Sequence, residues 1–135
     1  MMDLTERTVS SSELYNGRVV HLFRDTVTLP NGKESMREVI RHQGAVAVVP
    51  LTESGEIVLV RQFRYPFNRT LLEIPAGKLE AGEDPDEAVR RELAEETGAR
   101  ADTWTRLGDF YPTVAYGDEV IRLYLAEGLR FGQMH

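Results

Sequence analysis

The chain has 135 residues, no cysteine and a formal net charge of −6 at pH 7. Its length suits one domain able to bury a core without covalent staples, and the missing cysteines exclude disulfides, thiolate zinc sites and a cysteine nucleophile. The acidic balance argues against a broad nucleic-acid surface, because phosphate backbones are held by clustered Lys and Arg; a small phosphorylated ligand, gripped by local arginines or bridged by divalent cations, stays compatible with it.

The opening segment, MMDLTERTVSSSELYNGR, lacks the apolar stretch of a signal peptide, and no later run reaches the roughly 18 apolar residues of a membrane span. A soluble cytoplasmic protein without membrane contact is expected. Two β-like runs, residues 19–29 and 34–42, flank Pro30-Asn31-Gly32-Lys33, whose Pro and Gly supply the angles of a tight turn. They predict an N-terminal hairpin. Residues 45–51 are almost wholly apolar, and after Glu53-Ser54-Gly55 a second apolar run, 57–60, leads into Arg61-Gln62-Phe63-Arg64. Both are predicted as central strands. Shorter strands are expected at 71–74, 104–111 and 119–126.

The clearest helix spans residues 85–97. Asp84 can cap it, Pro85 suits its first position, Glu87 completes an Asp-x-x-Glu capping box, and Gly98 fits the left-handed residue after its end. At about 100° per residue, Glu92 and Glu96 lie within about 40° of each other, with Glu95 about 60° to the other side. The three carboxylates therefore share one face, beside an apolar stripe of Val89 and Leu93.

Glu87, Arg91 and Glu95 follow one another at i,i+4 spacing, and such pairs support ordinary exposed helices by a few tenths of a kcal/mol. That account covers Arg91 but not the crowding. Pro75-Ala76-Gly77 and the Gly82-Glu83 loop precede the helix and can bring backbone carbonyls and a further carboxylate to the same place. Such oxygen donors suit hard divalent ions, and magnesium commonly bridges protein carboxylates to substrate phosphates. A bound ion could polarise a phosphoryl oxygen, activate water and steady a leaving group.

Gly77, Glu83, Arg91-Glu92-Leu93, Glu95-Glu96 and Gly98 match the Nudix box, Gly-x5-Glu-x7-Arg-Glu-U-x-Glu-Glu-x-Gly-U with U aliphatic, at every fixed position. Only the final U, Ala99, is smaller than usual. The chain thus resembles Nudix hydrolases, which hydrolyse nucleoside diphosphates linked to another moiety. The resemblance implies an α/β fold: an α/β/α sandwich with a mixed sheet and an N-terminal β-hairpin. It also implies Mg2+ or Mn2+ as cofactor, with Glu92 and Glu96 as ligands, Glu95 as a further ligand or water-positioning group, the Ala76 carbonyl as a backbone ligand, and Glu83 acting through the metal shell. Arg91 is implied as organiser of the acidic cluster.

The flanks REVIRHQGAVAVVPL, VRQFRYP and LLEIPAGKLEAGEDP resemble ADP-ribose pyrophosphatases and other nucleotide-sugar hydrolases. Arg64 is a candidate diphosphate clamp, since a guanidinium matches phosphate oxygens in a fork; the alternative is a solvated strand-end arginine. Arg37, Glu73, Gly77 and Glu119 are further candidate substrate contacts, although Glu73 could equally serve a local hydrogen bond. Phe63, Tyr65 and Phe67 are suited to stack on adenine or to complete a core or interface. In FYPTVAYGDE, Thr113-Val114-Ala115-Tyr116 replaces a Ser-Pro-Gly-Phe stretch of many ADP-ribose pyrophosphatases, which weakens the substrate assignment more than the hydrolytic one.

The resemblance divides the chain into residues 1–42, a hairpin region expected to dimerise, and residues 43–135, the Nudix core. The sequence stops at Phe-Gly-Gln-Met-His, where such relatives continue through an acidic loop and a C-terminal helix; that helix is expected to be missing, together with the general base the loop often supplies. Glu92, Glu95 or Glu96 would then serve as base, with reduced activity and an apolar sheet face partly covered in a homodimer. The leading expectation is hydrolysis of ADP-ribose to AMP and ribose 5-phosphate. GDP-mannose or another nucleotide sugar is the second, and a non-catalytic nucleotide-sugar binding module is the third. His21, His42 and His135 show no metal-like spacing, and Asn68-Arg69-Thr70 is read as a coincidental glycosylation pattern.

Overall fold

A computed structural model describes residues 1–132, so His135 lies outside the described residues. The chain divides into two compact units, one of residues 1–42 with 111–119, the other of 43–110 with 120 onward.

The first unit is an antiparallel sheet in the order β1 (Arg7–Asn16), β2 (His21–Thr28), β3 (Glu34–Arg41). The expected hairpin is β2 and β3, in register from Thr28 opposite Glu34 to His21 opposite Arg41. Gly32, at φ 86°, lets its own amide reach the Leu29 carbonyl at 2.9 Å and so closes the turn. Strand β1 has no counterpart among the predicted elements. All ten of its residues are exposed, so no apolar alternation marks it, and its strand character comes from pairing with β2. Asp25 is buried, which is tolerable because Ser11 Oγ donates to it at 2.5 Å and Arg41 Nη2 at 3.0 Å. Residues 111–119 attach to the β3 end through Ile40, whose amide donates to the Tyr116 carbonyl and whose carbonyl accepts from Asp118.

The second unit holds a four-stranded mixed sheet, in the order β7 (Ala76–Lys78), β4 (Ala45–Pro50), β9 (Ile121–Phe131), β8 (Ala99–Phe110), and a separate antiparallel hairpin of β5 (Val60–Arg64) and β6 (Arg69–Glu73). Strands β4 and β9 run parallel, from Ala45 opposite Ile121 to Pro50 opposite Ala126. A parallel pair requires a long crossover, and α1 (Pro85–Thr97) lies within it. The helix has the expected limits. The Asp84 carboxylate accepts from the Asp86 amide, and Gly98, at φ 74°, returns its amide to the Ala94 carbonyl. Val89 and Leu93 are fully buried with Val46, Val48, Leu79, Ala88, Tyr124 and Ala126, each large apolar side chain contributing about 1.5–3 kcal/mol by leaving water. Ala99, the small residue at the last box position, belongs to the same core at 1% exposure.

Several boundaries move. The apolar run 57–60 does not open a strand at Ile57, which only bridges Leu51 across the Thr52–Glu56 turn, closed through Gly55 at φ 85°; the strand begins at Val60. Strand β8 begins at Ala99 instead of 104, and β9 continues to Phe131 instead of 126. Arg100, Asp102, Glu127 and Arg130 hide that long ribbon from an apolar pattern, yet its backbones pair from Ala99 opposite Phe131 onward. No helix among the described residues is long and apolar enough to cross a membrane.

Candidate active site

The acidic face of α1 is organised by Arg91. Its Nη1 donates to Glu92 at 3.0 Å and approaches Glu95 at 3.3 Å, while its Nη2 donates to Glu83 at 3.0 Å. Glu83 is itself oriented by the Glu80 amide at 3.1 Å. One cation thus ties three carboxylates together, and Glu96 stands outside that set. The i,i+4 Arg91–Glu95 pair foreseen from spacing is the longest of the three contacts; the loop carboxylate Glu83 makes a closer one.

Strand β7 forms the opposing wall. It pairs with β4 at Ala47 opposite Ala76 and Val46 opposite Gly77, which brings its backbone against the helix. A Cβ built at Gly77 would overlap the carboxylate of Glu92. Glycine here provides room for the glutamate, not an unusual backbone angle. The Ala76 backbone hydrogen-bonds Glu96, fixing the second glutamate of the face to the same strand.

Burial sets the electrostatics of both glutamates. Loss of hydration pushes the Glu92 carboxyl above its ordinary value, against the pull of Arg91, and pushes Glu96 up likewise, reinforced by the charge of Glu92 and opposed by the Ala76 hydrogen bond. Glu83 moves the other way, held down first by the Glu80 amide and then by Arg91. The site therefore carries negative charge that Arg91 does not fully balance. Among the described residues no three Asp, Glu or His side chains stand in a ready-made metal-binding arrangement. The donor chemistry, carboxylates beside strand carbonyls with no nitrogen or sulfur, nevertheless fits a hard divalent cation.

Arg64 and Glu73 form a bidentate pair, with Nε to Oε2 at 2.7 Å and Nη2 to Oε1 at 2.6 Å. Glu96 responds to the charges of both, which places the pair beside the acidic face. Phe63, Tyr65 and Phe67, on the same hairpin and its tip, are exposed and not part of a core. Arg37 and Glu119 belong to the other unit. Arg37 grips Glu6 through Nε and Nη2, both at 2.9 Å, and Glu119 lies 3.3 Å from His42 Nε2. His21 meets Asn16 at 2.7 Å. Sequence reasoning missed the Tyr124 hydroxyl, which donates to Asp86 at 2.6 Å and anchors the first turn of α1 to β9. The two residues are 38 positions apart, so no local signal pairs them.

The model of a family described as the NUDIX domain matches residues 41–131, and that of the nucleoside diphosphate sugar hydrolase N-terminal domain matches residues 6–40. An ADP-ribose pyrophosphatase of Bacillus subtilis (strain 168) is 46% identical over 129 residues, covering 96% of this chain and 70% of the relative. A methanol dehydrogenase activator of Bacillus methanolicus is 48% identical over 124 residues, covering 92% of this chain and 67% of the relative. The crystal structure of an ADP compounds hydrolase aligns with a TM-score of 0.86 at 22% identity, over 98% of this chain and 74% of that one. That last likeness concerns the fold alone.

Proposed function

This chain belongs to the Nudix family, and on that premise we propose that it hydrolyses the pyrophosphate linkage of a nucleoside diphosphate sugar, ADP-ribose giving AMP and ribose 5-phosphate. The observation that carries the reading is the face of α1 on which Arg91 gathers Glu83, Glu92 and Glu95 while Glu96 is tied to Ala76. The match of residues 6–40 to a nucleoside diphosphate sugar hydrolase region supports the substrate class.

Glu92 and Glu96, with Glu95, Glu83 and the Ala76 carbonyl, would hold magnesium or manganese, which when bound would neutralise charge at the phosphoryl oxygens and acidify water. The chain's own groups do the remainder. Water oxygen attacks one phosphorus, its bond to the bridging oxygen breaks, and the water proton passes to a carboxylate of the acidic face. Glu92, Glu95 or Glu96 would take that proton through an oxygen that metal ligation leaves free. Arg91 keeps the glutamates in register and touches no reacting atom. Arg64 contacts the diphosphate, whereas Arg37 and Glu119 are assigned as substrate contacts by resemblance alone. Residues 1–42 are proposed as a dimerisation region; Val9, Leu14 and Tyr15 of β1 are exposed apolar residues suited to it.

The test is product formation by the purified chain from ADP-ribose, other ADP-sugars and GDP-mannose, with magnesium and then manganese. Metal-dependent AMP from ADP-ribose is expected. Saturable binding of these compounds without turnover of any would replace the enzyme by a binding module, and turnover of GDP-mannose alone would move the substrate assignment.

A further inference from the structure

We propose that Glu73 is a positioning residue for Arg64, aiming one edge of its guanidinium at the substrate diphosphate, and that it makes no substrate contact of its own. This rests on the binding half of that reading, that the site takes a nucleoside diphosphate sugar.

The hairpin register shows how far the pair reaches. Arg64 lies opposite Arg69, and Glu73 lies opposite Val60, at the far end of the same two strands. Residues 69 and 73 share a face, four positions apart, which is about 13 Å at roughly 3.3 Å per residue. A cross-strand contact would pair Arg64 with a neighbour near 69. Instead the side chain runs along the hairpin to Glu73, away from the turn, and its head ends where Glu96 senses it. Left untethered, an arginine at a strand end would spread over many rotamers in water.

The atoms used decide what remains free. Glu73 takes Nε and Nη2, one side of the fork. Arginine has five N–H donors in a plane, so the end formed by Nη1 and the second hydrogen of Nη2 keeps two parallel donors. That end matches two oxygens of a phosphate or diphosphate. Both of Glu73's carboxylate oxygens are occupied by Arg64, which leaves it poorly disposed to read a nucleoside. A neutralising carboxylate would weaken anion binding if charge alone mattered; its value lies in orientation, which limits the entropy lost when ligand binds.

The experiment is a double-mutant cycle on ADP-ribose binding, read by calorimetry without divalent metal so that turnover does not intervene, with Glu73→Ala, Glu73→Gln, Arg64→Ala and Glu73→Ala/Arg64→Ala. Thermal melts confirm that each variant folds. Glu73→Ala is expected to weaken binding about tenfold, Glu73→Gln less because its amide oxygen keeps one hydrogen bond, and Glu73→Ala in the Arg64→Ala background to change it less than twofold. Under turnover conditions Glu73→Ala raises KM by a similar factor with kcat within about twofold. Equal losses in both backgrounds would make Glu73 an independent contact and overturn the proposal, as would unchanged or tighter binding, or no ADP-ribose binding by the parent chain. Coupled binding losses in a chain that hydrolyses nothing would instead overturn the enzymatic reading and leave this one standing.

Discussion

Replacing Gly77 by alanine separates the stability of the fold from the geometry of the site. Gly77 does not have a positive φ, so alanine fits the backbone, and the nearest conflict is with Glu92: the new methyl lies 2.7 Å from Cγ and closer still to the carboxylate. The strand cannot retreat easily, because β7 pairs with β4 and is flanked by bonds from Val48 to the Pro75 carbonyl at 3.0 Å and from Leu79 to the Gly44 carbonyl at 2.9 Å. Glu92 therefore swings aside and gives up its 3.0 Å bond to Arg91. Arg91 is 39% exposed, so the lost pair costs about 1 kcal/mol or less, and the exit of a buried carboxylate offsets part of that. The melting temperature should fall by about 5 °C at most. Hydrolysis should fall about a hundredfold, since a displacement of about 1 Å at a reacting group has that effect. Differential scanning calorimetry and initial rates on ADP-ribose measure the two quantities. Activity within twofold of the parent, or a loss of activity fully explained by unfolding, refutes the reasoning.

Glu92→Gln should lower turnover by more than about a hundredfold, since even groups that merely support metal ligands cost 10–100-fold when lost. At neutral pH the same change should stabilise the metal-free protein by about 1 kcal/mol, as relief of a burdened functional site commonly does; a less stable, fully active variant would contradict both expectations. Leu93→Ala, at a position with no exposure, should cost about 2–5 kcal/mol in urea unfolding, and a cost below about 1 kcal/mol would mean that α1 does not pack as described. Glu73 is held below its ordinary value of 4.5, first by the hydrogen bond from Arg64. Its folded pKa is depressed, so its contribution to stability is present above 4.5 and is lost as pH falls through the folded value. Because Arg64 is 43% exposed, the advantage of the parent over Glu73→Gln should be about 0.5 kcal/mol at pH 7 and close as pH drops below 4.5; a gap that widens in acid would reverse the sign.

Local chemistry made α1 and its acidic face legible. Asp84, Pro85 and Gly98 act within a few residues of themselves, and the turn angle of a helix places Glu92, Glu95 and Glu96 together whatever the rest of the chain does. The apolar run of β4 was equally plain, because a strand buried on both faces needs no partner to reveal it. The elements that stayed hidden are those whose identity depends on a partner. Exposed β1 is a strand only because β2 offers it hydrogen bonds, and three-residue β7 only because β4 does.

The same division holds for the site. The resemblance implied Arg91 as organiser of the acidic cluster and made Arg64 and Glu73 candidate substrate contacts, yet neither the Glu83 contact nor the fork between Arg64 and Glu73 follows from spacing, since a hairpin register is set by its pairing. The sequence by itself determined the helix, its caps, the common face of Glu92, Glu95 and Glu96, and the family. Tertiary structure alone decided that Gly77 makes room for Glu92, that Tyr124 anchors α1 through Asp86, and that burial raises Glu92 and Glu96. Each of these is a contact or a loss of water between residues distant along the chain, and neither quantity exists until the chain has closed on itself.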